Sequence, residues 1–243
     1  MPVPAEGQVV NKSQLIDALS ERFEGNRKQA QHALDSVLDT ITRQVAKGEK
    51  VAIIGPSGVG KTTFIRLLVG ELKPVEGEIK WGHEAVFSYF PQDHDDLIPK
   101  DTTCVGYLQQ VDPKAGNEVW RGLLGRMLFS GEEGTKPTKA LSGGEKVRLL
   151  LARFMLEQNN VLILDEPTAH LDLESISALT DGMKSYPGTL LFVSHDRNMV
   201  SDVATRIISM RPDGNQVEVI DFNGTYEEYL AKYPPPIPGK KAG

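Results

Sequence analysis

The stretch Gly55-Pro56-Ser57-Gly58-Val59-Gly60-Lys61-Thr62-Thr63 has the chemistry of a phosphate cradle. Its spacing is G-x-x-x-x-G-K-[ST], directly after the apolar run 51–54 and directly before a stretch of helical character, residues 61–69. Glycines let the backbone curl so that successive N–H groups face phosphate oxygens. The helix that follows aims its positive dipole end at the same point. In this reading Lys61 neutralises the β- and γ-phosphates of a nucleotide, and Thr62 ligates Mg²⁺. Two more apolar runs end in polar groups: 161–164 delivers Asp165 and Glu166, and 190–193 delivers Ser194 and His195. Leu141-Ser142-Gly143-Gly144-Glu145 is a second glycine-rich helix start, opening a helix expected over 145–157, and so a second anion site. A chance glycine turn or a structural histidine accounts for any one of these, but not for the series.

The elements that must position these groups follow from the pattern. Short apolar runs alternate with helical stretches, which predicts an α/β fold with a mostly parallel sheet and crossover helices. The front of the chain differs. Asn11 is a candidate N-cap, with Leu15, Ile16, Leu19 and Phe23 behind it at helical spacing. Gly25-Asn26 interrupts, and a second stripe holds Ala30, Ala33, Leu34, Val37, Leu38, Ile41 and Val45 up to a stop at Gly48. Residues 11–48 are therefore expected as a two-helix segment, with 1–10 a flexible start and 234–243, rich in proline, a disordered tail. The 243 residues suffice for one large α/β domain or two small ones. The net charge of -6 argues against a strongly basic nucleic-acid face. The single cysteine, Cys104, excludes an intramolecular disulfide and fits a reducing compartment. Residues 1–10 carry no secretory signal pattern, and no run approaches the roughly 18 apolar residues of a membrane span. A cytoplasmic location is expected, with any membrane part on another chain.

Taken in order, these segments resemble a known family. Leu141 to Glu145, then Val161-Leu162-Ile163-Leu164-Asp165-Glu166-Pro167-Thr168, His170-Leu171-Asp172 and Val193-Ser194-His195-Asp196, look like the signature, Walker B, D-loop and H-loop of ATP-binding cassette proteins. Gln92, in Tyr89-Phe90-Pro91-Gln92-Asp93, stands where that family carries its Q-loop glutamine. The resemblance implies a P-loop NTPase fold over 49–233, a helical signature subdomain over about 97–158, and ATP with Mg²⁺ as cofactors. It implies that Asp165, with Thr62 and Gln92, attends the metal, that Glu166 is the general base, and that His195 contacts the γ-phosphate beside Lys61. Phosphoryl transfer needs mainly positioning and electrostatic stabilisation, which such a set supplies. Ser142, Gly143, Gly144 and Glu145 are implied to face the γ-phosphate held by another subunit. The implied partner is thus a second cassette, as a homodimer or as another nucleotide-binding domain.

Two finer resemblances pull apart at the front. Asp165-Glu166-Pro167-Thr168-Ala169-His170-Leu171-Asp172 resembles the D-E-P-T-N-H-L-D of the ABC-F branch, with Ala169 in place of Asn. Residues 124–130, 188–197 and 219–230 also resemble its second cassette. That branch is cytosolic and acts on ribosomes, which makes the ribosome a candidate partner, although only one cassette and no long helical linker are present. Asn11-Lys12-Ser13-Gln14-Leu15-Ile16-Asp17, Asn26-Arg27-Lys28-Gln29-Ala30, Ala33-Leu34-Asp35 and Gly48-Glu49-Lys50-Val51 instead resemble HU, the bacterial histone-like DNA-binding protein. HU's DNA-binding arms would follow Gly55 and are absent, and residues 1–50 hold seven Lys/Arg and seven Asp/Glu. Counterion release needs clustered cations, so DNA is not the expected partner. A helical pairing module is the expected role, with a helical cover on the sheet or residual DNA binding as alternatives. An ordinary cassette opens with strands that carry an adenine-stacking aromatic, whereas residues 27–50 contain no Phe, Tyr or Trp. The alternative to a working ATPase is therefore a catalytically weak ATP-binding and dimerisation module, or an HU-like DNA-binding fusion. Without the opening strands, an antiparallel part expected near 78–90 loses its partners and leaves an exposed edge.

Overall fold

The computed structural model describes residues 48–74, 78–169, 171–213 and 216–234. The helical segment expected over 11–48, the start 1–10 and the tail beyond Pro234 lie outside the described residues, apart from Gly48. Among the described residues six strands form one sheet in the order β2-β3-β4-β1-β5-β6. They are β1 Lys50–Ile54, β2 Phe87–Phe90, β3 Val161–Asp165, β4 Thr189–Val193, β5 Arg206–Asp213 and β6 Gln216–Asn223. The first five in that spatial order run parallel, and β6 turns back antiparallel on β5. The helices are α1 Lys61–Leu68, α2 Cys104–Val111, α3 Asn117–Arg126, α4 Gly143–Glu157, α5 Leu173–Ser185, α6 Arg197–Val203 and α7 Tyr226–Lys232.

Strands β3 and β4 are unbroken apolar runs up to their ends because both faces are covered. Alternate residues serve different layers. Leu162, Leu164, Leu190 and Phe192 face the core shared with α4, α5 and α6, while Ile53, Ile163, Leu191 and Val193 face Phe64, Ile65 and Leu68 of α1. Each such side chain contributes about 1.5–3 kcal/mol on burial, so the central strands are fixed in register. Their carboxyl ends then present polar residues along one edge.

The antiparallel part expected near 78–90 is not what forms. Phe87–Phe90 runs parallel to β3, from Phe87 opposite Val161 to Phe90 opposite Leu164, and no strand is formed over 78–86. The reason lies in the partners. Asn160 accepts from Val86 N at 2.8 Å and donates to Glu84 O at 2.6 Å, and Ser88 donates to Glu157 at 2.6 Å. Glu157 ends α4 and Asn160 sits on the connection to β3, so together they seat the segment beside β3. Trp81 donates to Leu68 O at 3.0 Å and stacks on Phe87 with ring centroids 5.0 Å apart, closing the α1 side. The helix expected from Glu145 begins two residues earlier, at Gly143, because Ser142 supplies its cap.

Candidate functional site

The phosphate loop leaves β1 and enters α1 through Gly58 and Gly60, at φ 79° and 102°. These are left-handed conformations that side chains rarely adopt, so the glycine spacing is a backbone requirement. Gly60 is itself the N-cap of α1. Val59 is buried and its backbone N–H is turned to Pro56 O at 3.4 Å. Lys61 is 6% exposed, and its Nζ donates to Gly55 O at 2.9 Å and Pro56 O at 3.1 Å. Burial holds the Lys61 ammonium below its usual pKa, and the carboxylates of Glu166 and Asp165 oppose that shift.

Walker B lies alongside. Strand β3 carries Asp165 to its last position, fully buried, where Oδ1 accepts from the Thr62 hydroxyl at 3.2 Å. Burial pushes the Asp165 carboxyl up, Thr62 pulls it back, and Glu166 pushes it further. Its Oδ2 has no partner and is one of two buried side-chain polar atoms so left among the described residues; the other is Arg148 Nε. A buried carboxylate oxygen without a donor is costly. Beside the hydroxyl of Thr62 it forms a hard-oxygen pair suited to a small divalent cation, since Mg²⁺ takes few protein ligands and keeps waters and phosphate oxygens. The residues present therefore fit the metal.

Glu166 turns away from the strand in the left-handed region, at φ 51°. For a non-glycine residue this costs on the order of 1 kcal/mol, and here the backbone is held by Glu166 N donating to Val193 O at 3.0 Å. The turn frees the carboxylate from the sheet and aims it across the edge at β4's extension. There Oε1 lies 3.0 Å from His195 Nε2, and Oε2 accepts from His195 N at 3.2 Å. Lys61 Nζ is 3.4 Å from the same Nε2. That nitrogen can donate to Glu166 or accept from Lys61 but not both, and the shorter contact selects Glu166.

Ser57, Gly58, Gly60, Lys61, Thr62, Thr63, Gln92, Glu166 and His195 thus line a single cleft of about 500 Å³. The motifs are 30 to 130 positions apart in sequence, and the sheet edge gathers them. Gly55 and Pro56 face a neighbouring cavity, with His195 on the wall between the two. The signature is not brought to this cleft: Ser142, Gly143, Gly144 and Glu145 line no part of it. Ser142 and Gly143 are exposed at the start of α4, while Gly144 packs so closely that a Cβ there would stand 2.4 Å from Ser175 Oγ. Glu145, expected among the nucleotide contacts, is already engaged. One oxygen accepts from Ser142 N at 2.7 Å, closing a capping box, and both accept from Lys136 Nζ at 2.7 and 2.9 Å. The Ser-x-x-Glu spacing carried that signal in the sequence. His170 lies outside the described residues, whereas Asp172 caps α5 by accepting from Ser175 N at 2.8 Å.

Residues 38–169, more than half of the chain, match the family model described as ABC transporter. The chain belongs to the ABC transporter family, as an ATP-binding cassette. A second family model, bacterial DNA-binding protein, matches residues 10–63, so the two matches share 38–63. The cassette is 42% identical to the probable ATP-binding protein YbiT of Escherichia coli O157:H7 over 221 residues, covering 86% of this chain and 41% of that protein. It is 37% identical over 189 residues to ABC transporter F family member 5 of Arabidopsis thaliana, covering 77% of this chain and 27% of the relative. Among solved structures it resembles the archaeal ribosome recycling factor aABCE1, in a complex with the archaeal ribosomal stalk protein aP1. That likeness has a TM-score of 0.64 at 30% identity and covers 76% of this chain and 37% of the other. The chain thus spans about two fifths of the length of YbiT. Among the described residues no helix is long and apolar enough to cross a membrane.

Proposed function

We propose that this chain is an ATP hydrolase of the ABC-F type, resembling a second cassette, that binds MgATP in the P-loop cleft and completes its site by pairing with another cassette. The observation that carries the proposal is Asp165, fully buried with one oxygen on Thr62 and the other unpaired, one residue from a Glu166–His195 pair. Thr62 and Asp165, with Gln92 on the cleft wall, would hold Mg²⁺, which when bound offsets the charge on the phosphate oxygens. Lys61 lies at the loop's centre with its ammonium already oriented by two loop carbonyls, and it can exchange these for phosphate oxygens with little rearrangement. Glu166 acts as general base, taking the proton of the attacking water, and His195, whose ring and backbone N–H each meet one of its oxygens, orients the carboxylate for that role. Ser142, Gly143 and the N-terminus of α4 stand apart from this cleft and exposed, which supports their service to a partner's nucleotide. That partner is a second copy or another nucleotide-binding domain.

We assign residues 49–233 to the cassette and 11–48 to an added helical segment, with the pairing role as its function. The match of residues 10–63 to a bacterial DNA-binding family favours DNA binding as a second reading. The balanced charge of residues 1–50 and the lack of arms count against it. A translation-related, cytoplasmic role is supported by the F-family relative and by the likeness to a ribosome recycling factor. The test is ATP hydrolysis per molecule as protein concentration rises, with Glu166→Gln as the blank. A rate that depends on Glu166 and climbs with concentration is the expected result. No rate above the blank at any concentration would leave an ATP-binding module at most.

A further inference from the structure

Gln92 lies on a short turn between β2 and the next helical turn, and it is exposed on the cleft wall. The contacts of the residues that flank it lie outside the cleft. The rings of Phe90 and His94, on either side of it, meet with centroids 4.6 Å apart, and Phe90 packs edge-on against Phe154 of α4 at 6.5 Å. A polar chain runs beside these rings. Asn159 donates to Ser88 at 2.8 Å, and Ser88 to Glu157 at 2.6 Å. Arg153 donates from Nε to Glu157 at 2.7 Å and from Nη1 to the Tyr107 hydroxyl at 2.9 Å. Tyr107 then donates to the carbonyl of Leu97 at 2.9 Å. Ser88 precedes Gln92 in the chain and Leu97 follows it, so one side-chain chain brackets the turn from both sides. Its centre, Arg153, is on α4, the helix whose first residues are the signature.

We propose that Arg153, with Tyr107 and Ser88 as its two arms, is a positioning residue that sets Gln92 in the cleft from the helix that carries the signature. None of the three touches the cleft, so none is a catalytic residue. The geometry demands a fork. Arg153 must reach Glu157 one turn along its own helix and Tyr107 on α2 at once, and a guanidinium has the donors and the rigid plane for both. A lysine has three donors, but all on one nitrogen, so it cannot present them from separate atoms to partners on two helices. The chain is part-buried throughout, where a hydrogen bond left without its partner is not simply replaced by water. A displaced Gln92 would leave nucleotide binding by the phosphate loop intact and slow the chemical step, since small misplacements of positioned groups cost up to about a hundredfold in rate.

The inference rests on the ATPase reading, so the test has one arm that needs turnover and one that does not. Tyr107→Phe and Ser88→Ala each delete a hydroxyl and leave the buried shape in place, and Arg153→Lys keeps the charge. The first arm measures kcat, KM and nucleotide affinity in the full chain, with Glu166→Gln as the blank. Expected is a fall in kcat of about tenfold for Tyr107→Phe and Arg153→Lys, with ATP affinity unchanged within about twofold, and a smaller fall for Ser88→Ala. The second arm follows backbone hydrogen exchange over residues 91–103 without nucleotide, which should quicken in all three variants while α1 and β3 keep their protection. Wild-type rates in the variants with unchanged exchange overturn the proposal. So does a parallel loss of affinity, kcat and protection throughout the fold, which marks a general structural role. If the wild type itself does not hydrolyse ATP, faster exchange confined to 91–103 upholds the positioning and sinks only the ATPase reading; unchanged exchange sinks both.

Discussion

Replacing Asp165 by Asn should stabilise the protein without nucleotide and weaken its response to MgATP. The side chain is fully buried, one oxygen accepts from Thr62 at 3.2 Å, and the other has no partner. Burial and the Glu166 carboxylate both act against its charge, with Lys61 and Arg66 on the other side of the balance. A buried polar atom left unsatisfied costs about 1–3 kcal/mol, more when it is charged. Asparagine keeps the acceptor for Thr62 and removes the charge, but its amide is still an unpaired donor and the attraction of Lys61 is lost. The difference is a gain of about 1 kcal/mol, taking the lower end of that range for the part relieved. For a chain of 243 residues that is a rise in Tm of about 2–4 °C. Ligand at about a hundred times its Kd adds about 2.7 kcal/mol, or about 5–11 °C at the same slope. In the variant the part of that rise that depends on Mg²⁺ should disappear. Thermal melts followed by circular dichroism, with ATP and with Mg²⁺ or a chelator, separate the two effects. If the Asn variant melts below the wild type without ligand, the unpaired oxygen is not the burden claimed for it. If the Mg²⁺-dependent rise survives, Asp165 is not a ligand and the proposed metal position is wrong.

Two further outcomes test the frame around the site. Tyr229 donates to Ser209 at 2.6 Å and accepts from Arg211 Nε and Nη2 at 3.0 and 2.6 Å, so Tyr229→Phe should cost about 1–3 kcal/mol, read as a lower urea midpoint at unchanged m. Burial pushes the Cys104 thiol up to about 11 from 9.0, so at pH 8 the native protein holds about a hundredfold less thiolate than the unfolded chain, and Ellman's reagent should label it slowly until denaturant is added.

The candidate site was legible where chemistry and backbone demand coincide. The phosphate loop needs glycine at Gly58 and Gly60, and β1, β3 and β4 needed apolar residues at nearly every position, so loop and strands could be read with ends displaced by one residue. Strand β2 was misplaced because its four residues carry no information about which edge they join; Asn160 and Glu157, about 70 positions later, decide that. The left-handed turn at Glu166 left no trace, since glutamate has no preference for it and the position is held by Val193 across the sheet. The clamp on Gln92 was invisible for the same reason. Arg153 and Tyr107 lie 46 positions apart, and each reads as an ordinary helix residue until α2 and α4 are packed together.

Helix α4 explains why these long-range contacts matter. Its first residues carry the signature, its middle is buried under the sheet through Leu149, Leu150 and Ala152, and its last turn grips both flanks of Gln92. At 1.5 Å per residue its 15 residues span roughly 22 Å. A helix packed along its whole length moves as a rod, because sliding or bending it would open the core it fills. Anything that docks on Ser142 and Gly143 and tilts the helix must therefore also move Arg153 and Glu157, and with them the turn that presents Gln92 to the cleft. The same rod works in reverse, so a phosphate or metal that engages Gln92 biases the presentation of the signature. Under the proposed pairing with a second cassette, the two ends of α4 in a single copy serve different nucleotides. If the proposed pairing holds, that division gives hydrolysis a mechanical reason to wait for a partner, beyond the chemical one that the signature residues line no part of the copy's own cleft.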